Sequence, residues 1–354
     1  MTDIVIVGAG VIGLSAALAI CESKLEVNSL TIVSHHDPEL FDFSPEYTSA
    51  WAGAHFRPFP SKNAHEATEA AYARATLRRF KALAQLEPES LILFVTGKEY
   101  FENPDQFYRK VGLGYKEEIT NFRVLDSLEL PEGVVMGTEY DTYALNAPLY
   151  IQFLYRKLKI QYGVKFVHAK LESLKEATQF GPAGAIIVNC SGMGLQWNGG
   201  YDKDCFPIRG QTLLVLPPAN TGLEKFTVTH QLKDNKWTFF IFRPSHGGCI
   251  VGGTKQPHDT FPGVRDSDTA ELKERAAKLY PQLMKTNSKG EKYFDVVRVN
   301  VGFRPARKGG MNVSRERHDG VTVVNGYGAG GSGYEFSYGV GKKIVELLRS
   351  RPKL

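Results

Sequence analysis

The opening of the chain constrains its fold more than any other segment. Asp3-Ile-Val-Ile-Val-Gly-Ala-Gly-Val-Ile-Gly-Leu-Ser-Ala-Ala-Leu18 carries an apolar strand through three spaced glycines into an Ala-rich helix start. Each glycine has its own task in such a turn. Gly8 turns the backbone sharply, Gly10 admits a pyrophosphate close to the main chain, and Gly13 lets helix and strand pack tightly. Ala9, Val11 and Ile12 complete the turn, and the N–H groups at the helix start face the phosphates. The spacing predicts a Rossmann-like dinucleotide-binding unit.

Which dinucleotide it holds depends on the second strand, read as Ser29-Leu-Thr-Ile-Val-Ser34 and followed by His35-His36-Asp37. NAD sites usually end this strand on an acid that holds the ribose. Here the strand ends on Ser34, and the nearest acid, Asp37, lies beyond two histidines, so Ser34 and Asp37 are the ribose candidates. FAD is favoured by a second strand-to-helix turn near the other end of the chain. Val321-Thr-Val-Val-Asn325 leads into Gly326-Tyr-Gly-Ala-Gly-Gly-Ser-Gly333, five glycines in eight residues, and then a helix over about Tyr334–Leu348. A helix start there suits a flavin ring, whose reduced form gains negative charge near N1 and C2=O.

The 354 residues, 42% of them hydrophobic, can bury a large core, and the segment order predicts two intertwined domains. Residues 1–55, 146–195 and 295–354 are assigned to the FAD-binding domain. In it, Gly163–His168, Ala185–Cys190 and Asp295–Asn300 are read as strands. Residues 56–145 and 196–294 are assigned to an α+β substrate domain on a mainly antiparallel sheet, from runs such as Gln211–Val215, Thr238–Phe242 and Cys249–Val251. The net charge of +5 is mild and both signs are interspersed, which excludes a nucleic-acid tract. Four cysteines without metal-ligand spacing point to reduced thiols and an intracellular compartment. No run approaches the ~18–20 apolar residues of a membrane span.

Several strings in fixed order make the chain resemble the FAD-dependent D-amino-acid oxidases, a family that includes the D-aspartate oxidases. They are Trp51-Ala-Gly-Ala-His55, Asn189-Cys-Ser-Gly192, Pro207-Ile-Arg-Gly-Gln211, Gly252-Gly-Thr254, Gly302-Phe-Arg-Pro305 and the Gly328–Ser337 turn. The resemblance implies that Arg304 clamps the substrate α-carboxylate, a task for which a guanidinium fork is well shaped. It implies FAD contacts from Thr48, Ser49, Ala52, Gly53 and Ala54, and contacts near the adenosine half from Leu171, Ser191 and Gly192. Gly328, Gly330, Gly331, Ser332, Gly333 and Tyr334 are placed beneath the flavin pyrimidine edge, with Gly331 also facing substrate. A homodimer is also possible. Because a flavin oxidase makes hydrogen peroxide, Pro352-Lys-Leu354, close to a Ser-Lys-Leu address, points to the peroxisomal matrix.

Departures from the family pattern bear on the substrate. A tyrosine that the family supplies to the substrate carboxylate aligns with Phe239, so one hydroxyl contact is missing. His55 and Lys255, with Lys233 as a third candidate, would add positive charge and favour a second substrate carboxylate. The implied reaction is oxidative deamination of D-amino acids by transfer of the Cα hydrogen as hydride to flavin N5, with O2 as final acceptor. A broad D-amino-acid specificity stands first, D-aspartate second, and a glycine or sarcosine oxidase last.

Overall fold

The computed structural model describes residues 2–39 and 43–350, so the C-terminal tripeptide lies outside the described residues. Two sheets organise the chain. The first contains strands β1 (Thr2–Val7) and β2 (Val27–Ser34), joined by helix α1 (Val11–Cys21). Ile4, Val5, Ile6 and Val7 of β1 are all buried, as expected of a parallel strand covered on both faces. The first inserted segment supplies helix α2 (Ala64–Leu86), strand β3 (Ile92–Phe101) and strand β4 (Met136–Leu145). Helix α3 (Ala147–Arg156) then leads to β5 (Lys165–His168) and β6 (Ile186–Asn189), close to the predicted positions.

The second inserted segment forms β7 (Cys205–Val215), β8 (Phe226–Gln231), β9 (Trp237–Phe242), β10 (Cys249–Gly252) and helix α4 (Asp266–Leu279). The chain closes with β11 (Val296–Arg307), β12 (Asn312–His318), β13 (Val321–Tyr327) and helix α5 (Gly333–Arg349). The six-stranded sheet runs β12-β13-β6-β1-β2-β5, parallel except where β12 pairs with β13. The nine-stranded sheet contains β7, β10, β9, β8, β3 and β4 in that order, antiparallel except between β3 and β8.

One expected strand belongs elsewhere. Asp295–Asn300 was read as part of the cofactor domain, but β11 pairs antiparallel with β7 from Val296 opposite Val215 to Arg307 opposite Cys205. Its apolar and polar residues alternate, the pattern of an antiparallel strand with unlike faces, whereas β1 and β6 at the centre of the six-stranded sheet are nearly continuous apolar runs. Helix α5 packs between α1 and α2 through glycines. A Cβ on Gly341 would lie 2.8 Å from the Ser15 carbonyl oxygen of α1, and one on Gly339 would lie 2.2 Å from the Tyr72 carbonyl oxygen of α2.

Beside the cavity, the buried Arg209 of β7 staples the segment before α4 onto the sheet. Its guanidinium pairs with Asp268 at 2.9 Å and donates to Gln211 and to the carbonyls of Phe261 and Gly263. Asp268→Ala leaves this charge without its carboxylate, so a loss of about 3–5 kcal/mol in urea-unfolding stability is expected.

Candidate active site

A cavity of about 1090 Å³ lies where the two sheets meet. On one side the carboxyl ends of β1, β2, β6 and β13 wall it, where open α/β sheets hold their ligands. On the other side stand residues of β7, β9 and β11. The volume exceeds the roughly 300–1,000 Å³ usual for a single small ligand, leaving room for a substrate beside a dinucleotide.

The glycine turn is shaped for a phosphate. Gly8 has φ +105°, and a Cβ there would come within 2.4 Å of the Cys190 carbonyl oxygen. Gly10 caps α1 without any side-chain cap, so the turn of Gly8, Ala9, Gly10, Val11 and Ile12 presents backbone to the cavity. Gly13 is not on the wall. Its Cβ would lie 2.0 Å from the Gly8 carbonyl oxygen, so its task is packing and it is not a ligand contact.

The segment after β2 locks this turn. Tyr47 donates its hydroxyl to the Ala9 carbonyl at 2.8 Å, and Ser49 Oγ accepts the Val11 N–H at 3.0 Å. Thr48 Oγ1 donates to the Phe303 carbonyl at 2.5 Å, tying the same segment to β11. Tyr334 in turn donates to the Ser49 carbonyl at 2.8 Å, so the second glycine turn and the first share a brace. Thr48, Ser49, Ala52, Gly53 and Ala54 are on the wall, as are Ser34, Leu171, Ser191 and Gly192. So are Gly328, Gly330, Gly331, Ser332, Gly333 and Tyr334. Asp37 is not on the wall, since its carboxylate turns back to accept the Glu39 N–H at 2.7 Å. His35 and His36 stand at the cavity in its place.

Arg304 occupies the seam between the sheets. Its guanidinium passes over Gly210 of β7, where any Cβ would fall 2.3 Å from Nη1, and Nη1 donates to the Thr254 carbonyl at 3.1 Å. No carboxylate of the described residues pairs with it. Burial pushes its pKa down to about 10, so it remains charged at neutral pH. Phe239 also reaches the wall, packed against Gly252 and Gly253, while its neighbour Phe240 points into the core against Tyr280. The hydroxyl-bearing Thr212, Thr229 and Thr254 line the cavity in this region.

The cations differ from the expected set. His55 is on the wall but neutral, because burial and then Arg57 push its pKa down to about 3. Its Nδ1 lies 2.5 Å from Thr227 Oγ1, and that hydroxyl donates to the Phe240 carbonyl. Lys233 is exposed before β9 and is not on the wall. The residue that sequence reasoning missed is Arg57. Its Nη1 pairs with the fully buried Glu99 at 3.0 Å, and its guanidinium carbon lies 4.6 Å from the Trp237 ring centre. Burial opposes its charge, but Tyr108, Glu99 and Glu335 outweigh burial and keep it cationic. Lys255, exposed at the same end, has its Nζ 5.7 Å from the Trp237 ring. A cation between Phe56 and Pro58, directly after the flavin-loop string, was the available signal.

Residues 3–347 match the FAD dependent oxidoreductase family. The chain belongs to that family. It is 38% identical to a D-aspartate oxidase of Talaromyces thermophilus, over 98% of this chain and 94% of that protein. It is 35% identical to a D-amino-acid oxidase of Schizosaccharomyces pombe, over 99% of this chain and 97% of that one. Among solved structures, glycine oxidase from Geobacillus kaustophilus shares the fold with a TM-score of 0.70 at 17% identity, over 99% of this chain and 96% of that one. FAD is thus the dinucleotide that this cradle serves, and the glycine turns fit it. The left-handed Gly8 makes a direct prediction for this oxidoreductase. Gly8→Ala imposes strain of about 1–3 kcal/mol, so FAD binding should weaken roughly tenfold or more, read as flavin absorbance per mole of purified protein.

Proposed function

We propose that this FAD-dependent oxidase deaminates D-amino acids and prefers acidic ones, D-aspartate among them. The observation that carries the preference is the mutual repulsion of cations around one cavity. Burial, then Arg304 and Arg57, lower the pKa of Lys255, and no carboxylate of the described residues is paired with Lys255 or Arg304. A substrate with one carboxylate neutralises Arg304 and leaves the repulsion at Lys255. A second, side-chain carboxylate relieves it, which is the direction in which charge complementarity selects a ligand. The D-aspartate oxidase relative supports the same preference.

When bound, FAD would supply a two-electron acceptor for the Cα–N unit that O2 reoxidises, so the products would be hydrogen peroxide and an imino acid that hydrolyses to a 2-oxo acid and ammonia. The work of the protein is orientation. Arg304 holds the α-carboxylate through a rigid fork, kept in place by the Thr254 carbonyl and the absence of a side chain at Gly210. Arg57 and Lys255 hold the far carboxylate against the Trp237 side of the cavity. Two anchored ends leave one face of Cα toward the cofactor, which selects one enantiomer. His55, neutral throughout the working range, contributes no charge.

Anaerobic addition of D-aspartate and D-alanine to separate samples tests the reading, with D-aspartate expected to bleach the oxidised flavin at lower concentration. Lys255→Met should lower kcat/KM for D-aspartate about 30-fold, the low end of losing a charge partner, and change D-alanine turnover less than about threefold. Equal losses for both substrates would remove Lys255 from specificity.

A further inference from the structure

One carboxyl group on the cavity wall has no part in the reading above. Of the acidic residues there, Asp268 is paired with Arg209, Glu271 with Lys236, and Glu46 lies on the His36 side. Glu335 remains, half-buried in the first turn of α5 and not ion-paired to any side chain of the described residues. Its Oε1 accepts the Arg57 backbone N–H at 3.1 Å, and the Ser332 hydroxyl also bonds to it. The turn from which it rises borders the anchor, since a Cβ on Gly331 would lie 3.7 Å from Arg304 Cδ. A substrate nitrogen is only two bonds from the carboxylate carbon held by Arg304, and Glu335 stands on the same wall four residues beyond Gly331.

An amino acid arrives as its ammonium form, yet oxidation of the Cα–N unit needs the nitrogen lone pair. We propose that Glu335 accepts the α-ammonium proton of the bound substrate and so generates the neutral amine that is oxidised. The inference rests on the D-amino-acid oxidase reading. An N–H bond breaks, an O–H bond forms on the Glu335 carboxylate, and the electron pair stays on nitrogen. That pair becomes the second bond of C=N as the Cα–H bond surrenders its two electrons to the flavin, and the proton on Glu335 passes to water as product leaves. Glu335 is then a catalytic residue, and Arg57, through its backbone N–H, a positioning one.

The electrostatic setting suits a proton acceptor for an amine. Burial raises the Glu335 pKa to about 7, with Glu99 of β3 adding to the rise, while Arg57 and the Ser332 hydroxyl pull against it. Tyr140 and Tyr143 of β4 and Arg74 of α2 also lie within its field, and burial keeps both tyrosines neutral. A carboxyl raised in this way is closer in proton affinity to an amine than an ordinary glutamate, which favours transfer. The sign follows directly. Below about pH 7 the group already holds a proton and cannot accept another, and above it the carboxylate is available.

Glu335→Gln keeps an acceptor for the Arg57 N–H and removes the titration, so the holoenzyme variant separates chemistry from structure. In the wild type, kcat/KM for D-aspartate should rise with pH through about 7. In the variant that limb should vanish, with a loss of about 100-fold near neutral pH. The loss should shrink steadily as the pH is raised toward about 9, where more of the substrate amine is neutral and Arg304 is still charged. A carboxylic-acid C=O stretch that titrates near neutral pH in the infrared spectrum of the resting holoenzyme should be missing from the variant. Glu335→Asp, which retains a carboxyl, should keep a pH limb at reduced rate. An unchanged pH profile in Glu335→Gln, or a deficit that is constant with pH, overturns the proposal and leaves the oxidase reading intact. A wild-type flavin that no D-amino acid bleaches overturns both.

Discussion

A buried guanidinium with no carboxylate beside it, Arg304, is the constraint around which the two sheets are arranged. Such a charge is costly to remove from water unless a partner arrives, and in the function proposed above that partner is the substrate carboxylate. The backbone makes the arrangement possible. β11 pairs with β7 over its whole length, which puts Arg304 beside Gly210, and the missing side chain there is the space that the guanidinium occupies. The Thr254 carbonyl holds one nitrogen, and the glycine turn before α5 closes the other side. The same pairing brings Phe303 to Thr48, and through Ser49 and Tyr47 the position of the clamp is tied to the dinucleotide cradle.

Charge around the clamp is distributed so that only some of it is satisfied internally. Arg57 has Glu99, a fully buried carboxylate further held by Tyr115, and this fixes both the place and the sign of the cation. His55 is neutral because burial removes the solvent that would stabilise its charge and Arg57 stands nearby. Among the described residues, Lys255 and Arg304 remain without carboxylates, and Glu335 remains without an ion-paired cation. An amino acid with two carboxylates and one ammonium complements that remainder group by group.

The glycine turns, the helices that follow them and strands β1, β2, β5, β6 and β13 were legible in the chain, and the resemblance singled out Arg304 in Gly-Phe-Arg-Pro, which the fold sets on the cavity wall. Asp295–Asn300 joins the other sheet, because its apolar run continues through Arg307 as an alternating strand and pairs with β7. Asp37 satisfied the expected spacing yet folds back on its own backbone, a competition that short acidic side chains often win in turns. An arginine in a loop is usually a surface residue, and the burial of Arg57 depends on Glu99, Tyr108 and Trp237, which come from other parts of the chain.

By itself, then, the sequence determined the dinucleotide turns and the helices that follow them, because these depend on residues adjacent in the chain whose conformational tasks are local. Only the tertiary structure decided which groups surround the cavity and which of them carry charge. His55 lost its expected charge, Lys233 fell outside the wall, and Arg57 and Glu335 entered it. The reason is physical. Proton affinity and ion pairing are set by burial and by neighbours brought together from distant parts of the chain, and neither can be read from spacing.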